Sequence, residues 1–189
     1  VSLNSAMMAG PALQTDLTDV LLRFRSGAVG LTGDISRMFL QIRVNPEQRD
    51  WIRFLWREPG SQGPLRVWRF TCLPFGLTAS PFLAIRVVNT LLEQYDPRFK
   101  DEAMHIQSSM YVDDILLTAA DAEEAALLQQ LVCQIFDKGH FHVSKWMSND
   151  PYALLQVPAE DIASAATKTL ALKNIDITPD AISSTLGLV

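Results

Sequence analysis

Apolar and polar positions change period several times along this chain, and each change marks an element. Ala28 to Ile35 reads as a short buried strand that ends on Asp34 and runs into a turn of helix through Met38-Phe39-Leu40. From Asp50 to Arg57 the pattern alternates, with Ile52, Phe54 and Trp56 on one face and Trp51, Arg53 and Leu55 on the other. The turn cluster Glu58 to Pro64 and a returning strand, Leu65 to Cys72, make 50–72 a predicted hairpin. Ser80-Pro81 is a helix start, Ser as N-cap and Pro at the first helical position. That helix should run to about Tyr95 with Val87, Val88, Leu91 and Leu92 inward, and Asp96-Pro97 should stop it. Ile106 to Val112 and Ile115 to Thr118 read as a second hairpin. Asp121 with Glu124 is a capping box opening a helix whose apolar face is Ala125, Leu128, Val132, Ile135 and Phe136. Gly139 is its C-cap, and Phe141 to Trp146 is a further strand. Pro151 to Ala166 reads as a solvent-facing helix, Lys173 to Thr178 is undecided, and Thr185 to Val189 begins a strand. This order predicts an α+β fold, helices packed on one side of an antiparallel sheet, over residues 1–149, with 150–189 as a connecting segment.

Composition narrows the class without choosing a function. A chain of 189 residues can bury one core with a lobe attached. No apolar run of about 18 residues exists, and Val1-Ser2-Leu3-Asn4 lacks a basic lead, so neither a membrane span nor secretion is expected. Val1 in place of Met and the end at Leu186-Gly187-Leu188-Val189 read as a piece of something longer. Cys72 and Cys133 form no metal-spacing motif and no disulfide framework, which fits a reducing compartment. His140 and His142 lack an acid or Cys at ligand spacing and read as structural. The net charge of −5 argues against a nucleic-acid binder, but residues 1–100 sum to +4 and 101–189 to −9. Arg43, Arg49, Arg53, Arg57, Arg66 and Arg69 face only Glu47, Asp50 and Glu58, a stretch that reads equally as a phosphate-touching surface or as a solvated hairpin face.

The chemistry concentrates in Tyr111-Val112-Asp113-Asp114. Side chains alternate faces along a strand, so these neighbouring acids cannot both be buried. A divalent cation relieves their repulsion most simply, although Asp-Asp at a hairpin, taken alone, is more often a turn. A third carboxylate reverses that preference. Asp34 ends a buried strand, where a charge needs compensation, and a central strand beside the acidic hairpin would bring it within metal-bridging distance of Asp113. Three acids around a water-retaining pair of Mg²⁺ ions form a recurring arrangement for phosphoryl transfer, with the ions ~3.5–4 Å apart.

Leu31-Thr32-Gly33-Asp34-Ile35-Ser36-Arg37-Met38-Phe39-Leu40-Gln41-Ile42 resembles motif A of reverse transcriptases. Leu73-Pro74-Phe75-Gly76-Leu77-Thr78-Ala79-Ser80-Pro81-Phe82 resembles motif B, and Tyr111-Val112-Asp113-Asp114 resembles motif C. Phe141-His142-Val143-Ser144-Lys145-Trp146 is similar to motif D, and Thr185-Leu186-Gly187-Leu188 to the start of motif E, the primer grip. Met38-Phe39-Leu40-Gln41, Arg53-Phe54-Leu55-Trp56, and Lys145-Trp146 followed by Ser148-Asn149 resemble the BEL/Pao class of LTR retrotransposon. The resemblance covers nearly the whole chain in order; motifs A to C are specific together, D and E weak alone. It implies a polymerase palm with part of the fingers, leading after residue 150 into a truncated primer-grip strand.

The same resemblance implies roles residue by residue. Asp34 and Asp113 would bind two Mg²⁺ ions, for which Mn²⁺ can substitute, with Asp114 in support and the Ile35 backbone close to the triphosphate. Phe39 matches the steric gate that excludes a ribose 2′-OH and so implies dNTP use; without the motif it would read as a core phenylalanine. Phe75-Gly76 matches the loop under the nascent base pair, although a Pro-Phe-Gly turn needs no function. Retroviral enzymes carry Gln where this chain has Phe75. Tyr111 would press near the primer terminus, and Lys145 would protonate the leaving pyrophosphate or be a surface lysine. Arg53, Arg57 and Gly187 would touch nucleic acid. The implied partners are an RNA or DNA template with its primer, dNTPs, and the fingers, thumb and RNase H regions of a parent polyprotein. The implied location is a cytoplasmic virus-like particle, with no membrane. A different class of reading is a non-enzymatic or exapted remnant that folds or binds without polymerising. A nucleotide cyclase would lack motif B, and an RNA-recognition domain would carry aromatics in place of the acidic tip.

Overall fold

The computed structural model describes residues 2–163. In chain order the helices are α1 (Leu3–Ala6), α2 (Leu17–Phe24), α3 (Met38–Gln41), α4 (Ser80–Glu93), α5 (Lys100–Ser108) and α6 (Ala122–Lys138). The strands are β1 (Val29–Ile35), β2 (Arg53–Trp56), β3 (Arg66–Arg69), β4 (Met110–Tyr111), β5 (Asp114–Ala119) and β6 (Val143–Ser148). Two compact units result, one from residues 2–13 and 37–87, the other from 14–36 and 88–163.

The second unit holds a four-stranded antiparallel sheet, ordered β4-β5-β1-β6. Along central β1, Val29, Leu31, Gly33 and Ile35 are buried while Gly30, Thr32 and Asp34 are half-open, the period of two expected of a strand with one covered face. Helix α6 packs along β1, β5 and β6, and α2 against β4 and β5. Asp121 caps α6 by accepting from Glu124 N–H, while the Glu124 carboxylate accepts from Ala120 N–H. The five predicted apolar positions of α6 are all buried. Gly139 is the C-cap residue, but its φ is −86°; the left-handed turn is taken by His140 at +60°.

The first unit is built on the β2–β3 hairpin. Pairing extends beyond the strands through Phe70 N–H to Ile52 O (3.1 Å), Val44 N–H to Thr71 O (3.0 Å) and Leu73 N–H to Ile42 O (2.8 Å). Ile52 is buried, whereas every residue of β2 and β3 is exposed, so neither face of the two strands is covered; Asp50 and Trp51, read as part of the strand, instead close a 3₁₀ turn over Pro46–Trp51.

Several expectations are corrected. Residues 106–108 close helix α5 and do not begin a strand: Ala103 and Ile106, three apart, share the buried side, and Asp101 and Glu102 in the first turn favour a helix start. Only Met110–Tyr111 pairs. In α4 the inward line is Ala84, Val88 and Leu92, spaced by four, and Val87 points outward. Ser80 is the first helical residue, not an N-cap acceptor; its hydroxyl donates to Pro74 O at 2.7 Å. The predicted solvent-facing helix from Pro151 is instead two 3₁₀ turns, Pro151–Leu154 and Ala159–Asp161, with Ala153, Leu154 and Val157 buried. The rest of that segment, Lys173 to Thr178, and Thr185 to Val189 with Gly187 lie outside the described residues.

Candidate active site

Two adjacent strands deliver the acids. Asp34 is the penultimate residue of β1 on its half-open face, and Asp114 lies directly opposite it on β5. Asp113 is the second residue of the two-residue turn joining β4 to β5, and its carbonyl accepts from Ile35 N–H at 2.9 Å. That bond ties the tip of the hairpin to the end of β1. Val112, the first turn residue, has φ +56°, unfavourable for a β-branched side chain. Such strain persists only where the surroundings impose it. Burial raises the Asp113 carboxyl above its ordinary range, and the charge of Asp34 raises it further; its own backbone hydrogen bond and Lys145 act in the opposite sense.

Lys145 reaches this pair from β6. Its Nζ lies 3.1 Å from Asp34 Oδ1, with the lysine side chain two-thirds exposed. The β1–β6 register explains the reach: Thr32 pairs with Met147 but Asp34 with Ser144, so Lys145 and Trp146 together face Gly33. This is a β-bulge, and Lys145 takes its left-handed conformation at φ +55°. Gly33 lets the strands close here, because a Cβ would lie 3.0 Å from Val143 and 3.1 Å from the fully buried Trp146 ring and would press on both. Next to the acids, Ser36 N–H donates to His142 O at 2.8 Å and the Ser36 and Ser144 hydroxyls share a 2.6 Å hydrogen bond.

These residues suit a hard divalent ion. The donors are carboxylate oxygens, and the repulsion that raises Asp113 is what a cation would relieve. Among the described residues no group of three or more His, Cys, Asp or Glu is arranged as a complete metal cage. Mg²⁺ typically takes one or two carboxylates, keeps several waters and leaves positions for phosphate oxygens. The Ile35 side chain is buried, so only its main chain could contribute.

The other predicted residues gather in the first unit. Phe39, in the single turn of α3, packs against Phe75 with ring centroids 5.0 Å apart and the rings tilted by 52°. Both line a cavity of about 360 Å³ with Gly76, Leu77, Thr78 and Pro81. Gly76 has φ +84°, a conformation that favours glycine. Asn4, which sequence reasoning passed over, holds this loop at two points: its amide donates to Gly76 O at 2.8 Å and accepts from Thr78 N–H at 3.0 Å. Tyr111, half-exposed, belongs to the second unit and pairs with Asp114 in the acidic hairpin.

On the basic hairpin, Arg53 and Arg69 both bind Asp50, at 3.0 and 2.8 Å, and hold its carboxyl below the usual range. Arg57 donates a long 3.5 Å bond to Gly63 O. The register sets Phe54 opposite Trp68 and Trp56 opposite Arg66 on one face. Asn149 was also missed as a structural residue: its side chain accepts from Gly30 N–H at 2.7 Å and donates to Ala28 O at 3.0 Å, extending the pairing of β1.

An antiparallel sheet that carries acids from two adjacent strands on its half-open face, backed by helices, defines the palm of a nucleic-acid polymerase. Residues 4–145 match the family described as "Reverse transcriptase (RNA-dependent DNA polymerase)", and the chain belongs to that family. Members generally use divalent metal ions. A mutant prototype foamy virus protease–reverse transcriptase is similar, with a TM-score of 0.57 and 26% identity over 75% of this chain and 17% of that one. The foamy viral enzyme in complex with double-stranded DNA has a TM-score of 0.58 at 24% identity, over 75% and 22% of the two chains. The form in complex with an RNA/DNA hybrid has 0.53 at 23%, over 71% and 16%. The last two likenesses are of fold alone. This chain thus spans 16–22% of the length of these structures. No curated protein matches it.

Proposed function

We propose that this chain is the palm, with part of the fingers, of an RNA-directed DNA polymerase from a BEL/Pao-like LTR retrotransposon. The observation that carries the reading is the junction of Asp34, near the end of β1, with Asp113, in the β4–β5 turn, two acids from separate motifs tied by the Ile35–Asp113 hydrogen bond. Asp34 and Asp113 hold the catalytic metals, with Asp114 in support and the Ile35 main chain beside the triphosphate. Two Mg²⁺ ions, when bound, activate the primer 3′-OH and stabilise the in-line transition state. Lys145 donates a proton to the leaving pyrophosphate. Phe39 closes the space a 2′-OH would need, Phe75 and Gly76 support the nascent base pair, and Tyr111 abuts the primer terminus. Arg53, Arg57 and the aromatic face of the hairpin contact single-stranded nucleic acid, phosphates by charge and bases by stacking. Gly187 belongs to the primer grip.

The retrotransposon class rests on three sequence details. The residues of one of them have structural parts in this protein: Trp146 fills the core beside Gly33, and Asn149 pins β1. The parent element would carry further fingers, thumb and RNase H regions and act in a cytoplasmic virus-like particle. The test is primer extension with dNTPs on RNA and DNA templates by the polymerase region of the parent protein. Asp113→Asn should abolish extension; persistence of activity would overturn the assignment. Phe39→Val should admit ribonucleotides, and unchanged discrimination would remove the gate from the mechanism. A flanking basic fingers motif and RNase H sequence would support the polyprotein reading.

A further inference from the structure

We propose that Lys145 is a built-in counter-cation of Asp34, set in place by the Gly33–Trp146 bulge, and that metal binding at Asp34 requires this ammonium to withdraw. The inference rests on the metal-site reading of Asp34 and Asp113 above. The Lys145 ammonium is 3.1 Å from Asp34 Oδ1, in contact with an oxygen that a metal ion would use. The two cations therefore compete for one carboxylate.

The contact is built into the strand. An unbulged β6 would alternate without interruption, and the register step across Gly33 instead inserts one residue at Lys145 and Trp146. The Trp146 ring lies against the open Cα of Gly33, and Lys145 takes the left-handed backbone that turns its side chain off the regular pattern. Trp146 and Gly33 are thus positioning residues for the lysine. The Ser36–Ser144 hydroxyl pair and the Ser36–His142 backbone bond hold the two strand ends together just beyond the contact. No other ion pair to Asp34 is present among the described residues.

The consequence is an exchange of cations. Without metal, the ammonium neutralises Asp34 and eases its repulsion with Asp113. When the ion arrives, the lysine side chain is released on its exposed stem. Binding of the ion is weakened by whatever the lysine contact contributes, so removing the lysine should tighten it.

The test is Mn²⁺ binding measured by calorimetry on the intact chain, with Lys145→Gln, Lys145→Arg and Lys138→Gln compared with wild type. Lys138 stacks on Tyr95, 4.4 Å from the ring centroid, and serves as a charge-matched control. Lys145→Gln should bind Mn²⁺ about three- to fivefold more tightly, the upper range of a partly exposed ion pair. Lys145→Arg and Lys138→Gln should stay within about twofold of wild type. In wild type the Lys145 side-chain NMR signal, assigned by its loss in Lys145→Gln, should shift with Mg²⁺ and saturate with binding. It should not move with Mg²⁺ in Asp34→Asn. Equal Mn²⁺ affinity in wild type and Lys145→Gln, or an equal gain in Lys138→Gln, overturns the exchange while leaving the metal site standing. Absence of metal binding in every variant overturns both.

Discussion

Strand β1 and the hairpin strands β2 and β3 use their apolar residues in opposite ways. Four of the seven residues of β1 are buried, because it is the central strand of its sheet and α6 packs along it. The β2–β3 pair carries Phe54, Leu55, Trp56, Val67 and Trp68, yet all five are exposed, since a two-stranded hairpin covers neither of its own faces. Apolar content is therefore a poor guide to which strand makes the core; neighbours decide. The exposed aromatics interleaved with arginines belong to the proposed nucleic-acid surface, and Asp34 on the core strand to the proposed metal site.

The sharpest way to break this contrast is to truncate one tryptophan in each place. Trp146→Ala removes a fully buried indole and should destabilise the protein by about 3–5 kcal/mol, read by chemical denaturation. Trp68→Ala, about half exposed, should leave stability within about 0.5 kcal/mol. It should instead weaken binding of a single-stranded oligonucleotide by ~1–3 kcal/mol, read by fluorescence anisotropy, and the remaining affinity should fall as salt rises. If Trp68→Ala unfolds the protein and spares binding, the hairpin is core and the contrast is wrong. Ser80→Ala leaves the Pro74 carbonyl without the Ser80 hydroxyl in a buried setting and should cost about 1–3 kcal/mol, between the two extremes.

The smallest effect has a sign that distinguishes chemistry from packing. The folded Asp113 carboxyl titrates above its unfolded range, so the protonated form is favoured on folding. Its stabilising contribution is complete below the ordinary Asp range near pH ~3.9 and is lost as pH rises through the raised value. In chelator, Asp113→Asn should therefore raise the melting temperature at pH 7 by a few degrees at most, and the gain should vanish towards pH 3. A loss of stability at pH 7 would mean that Asp113 is a structural residue.

Much of this was legible because strong periodicities mark it. The amphipathic face of α6, the strand ending on Asp34 and the hairpin pairing all follow from spacing alone. The acid pair was legible because two motifs had to meet for either charge to be tolerated. Helix α5 was hidden by its length: nine residues with two buried positions read as easily as a strand. The bulge was hidden because a period of two cannot show an inserted residue, and only the packing of Trp146 on Gly33 reveals it. Asn4 could not be found by any local pattern, since its partners lie more than seventy residues away. The first 3₁₀ turn buries Ala153 and Leu154, and the link to the second buries Val157, which no solvent-facing helical pattern anticipates.

The left-handed backbone of Lys145 also sets what substitution there can achieve. Glycine is the residue that position accepts most easily, and a lysine there carries a conformational penalty of about 1–2 kcal/mol. Lys145→Gly would relax the backbone and at the same time remove the ammonium beside Asp34. Position 145 thus trades chain strain for a placed charge.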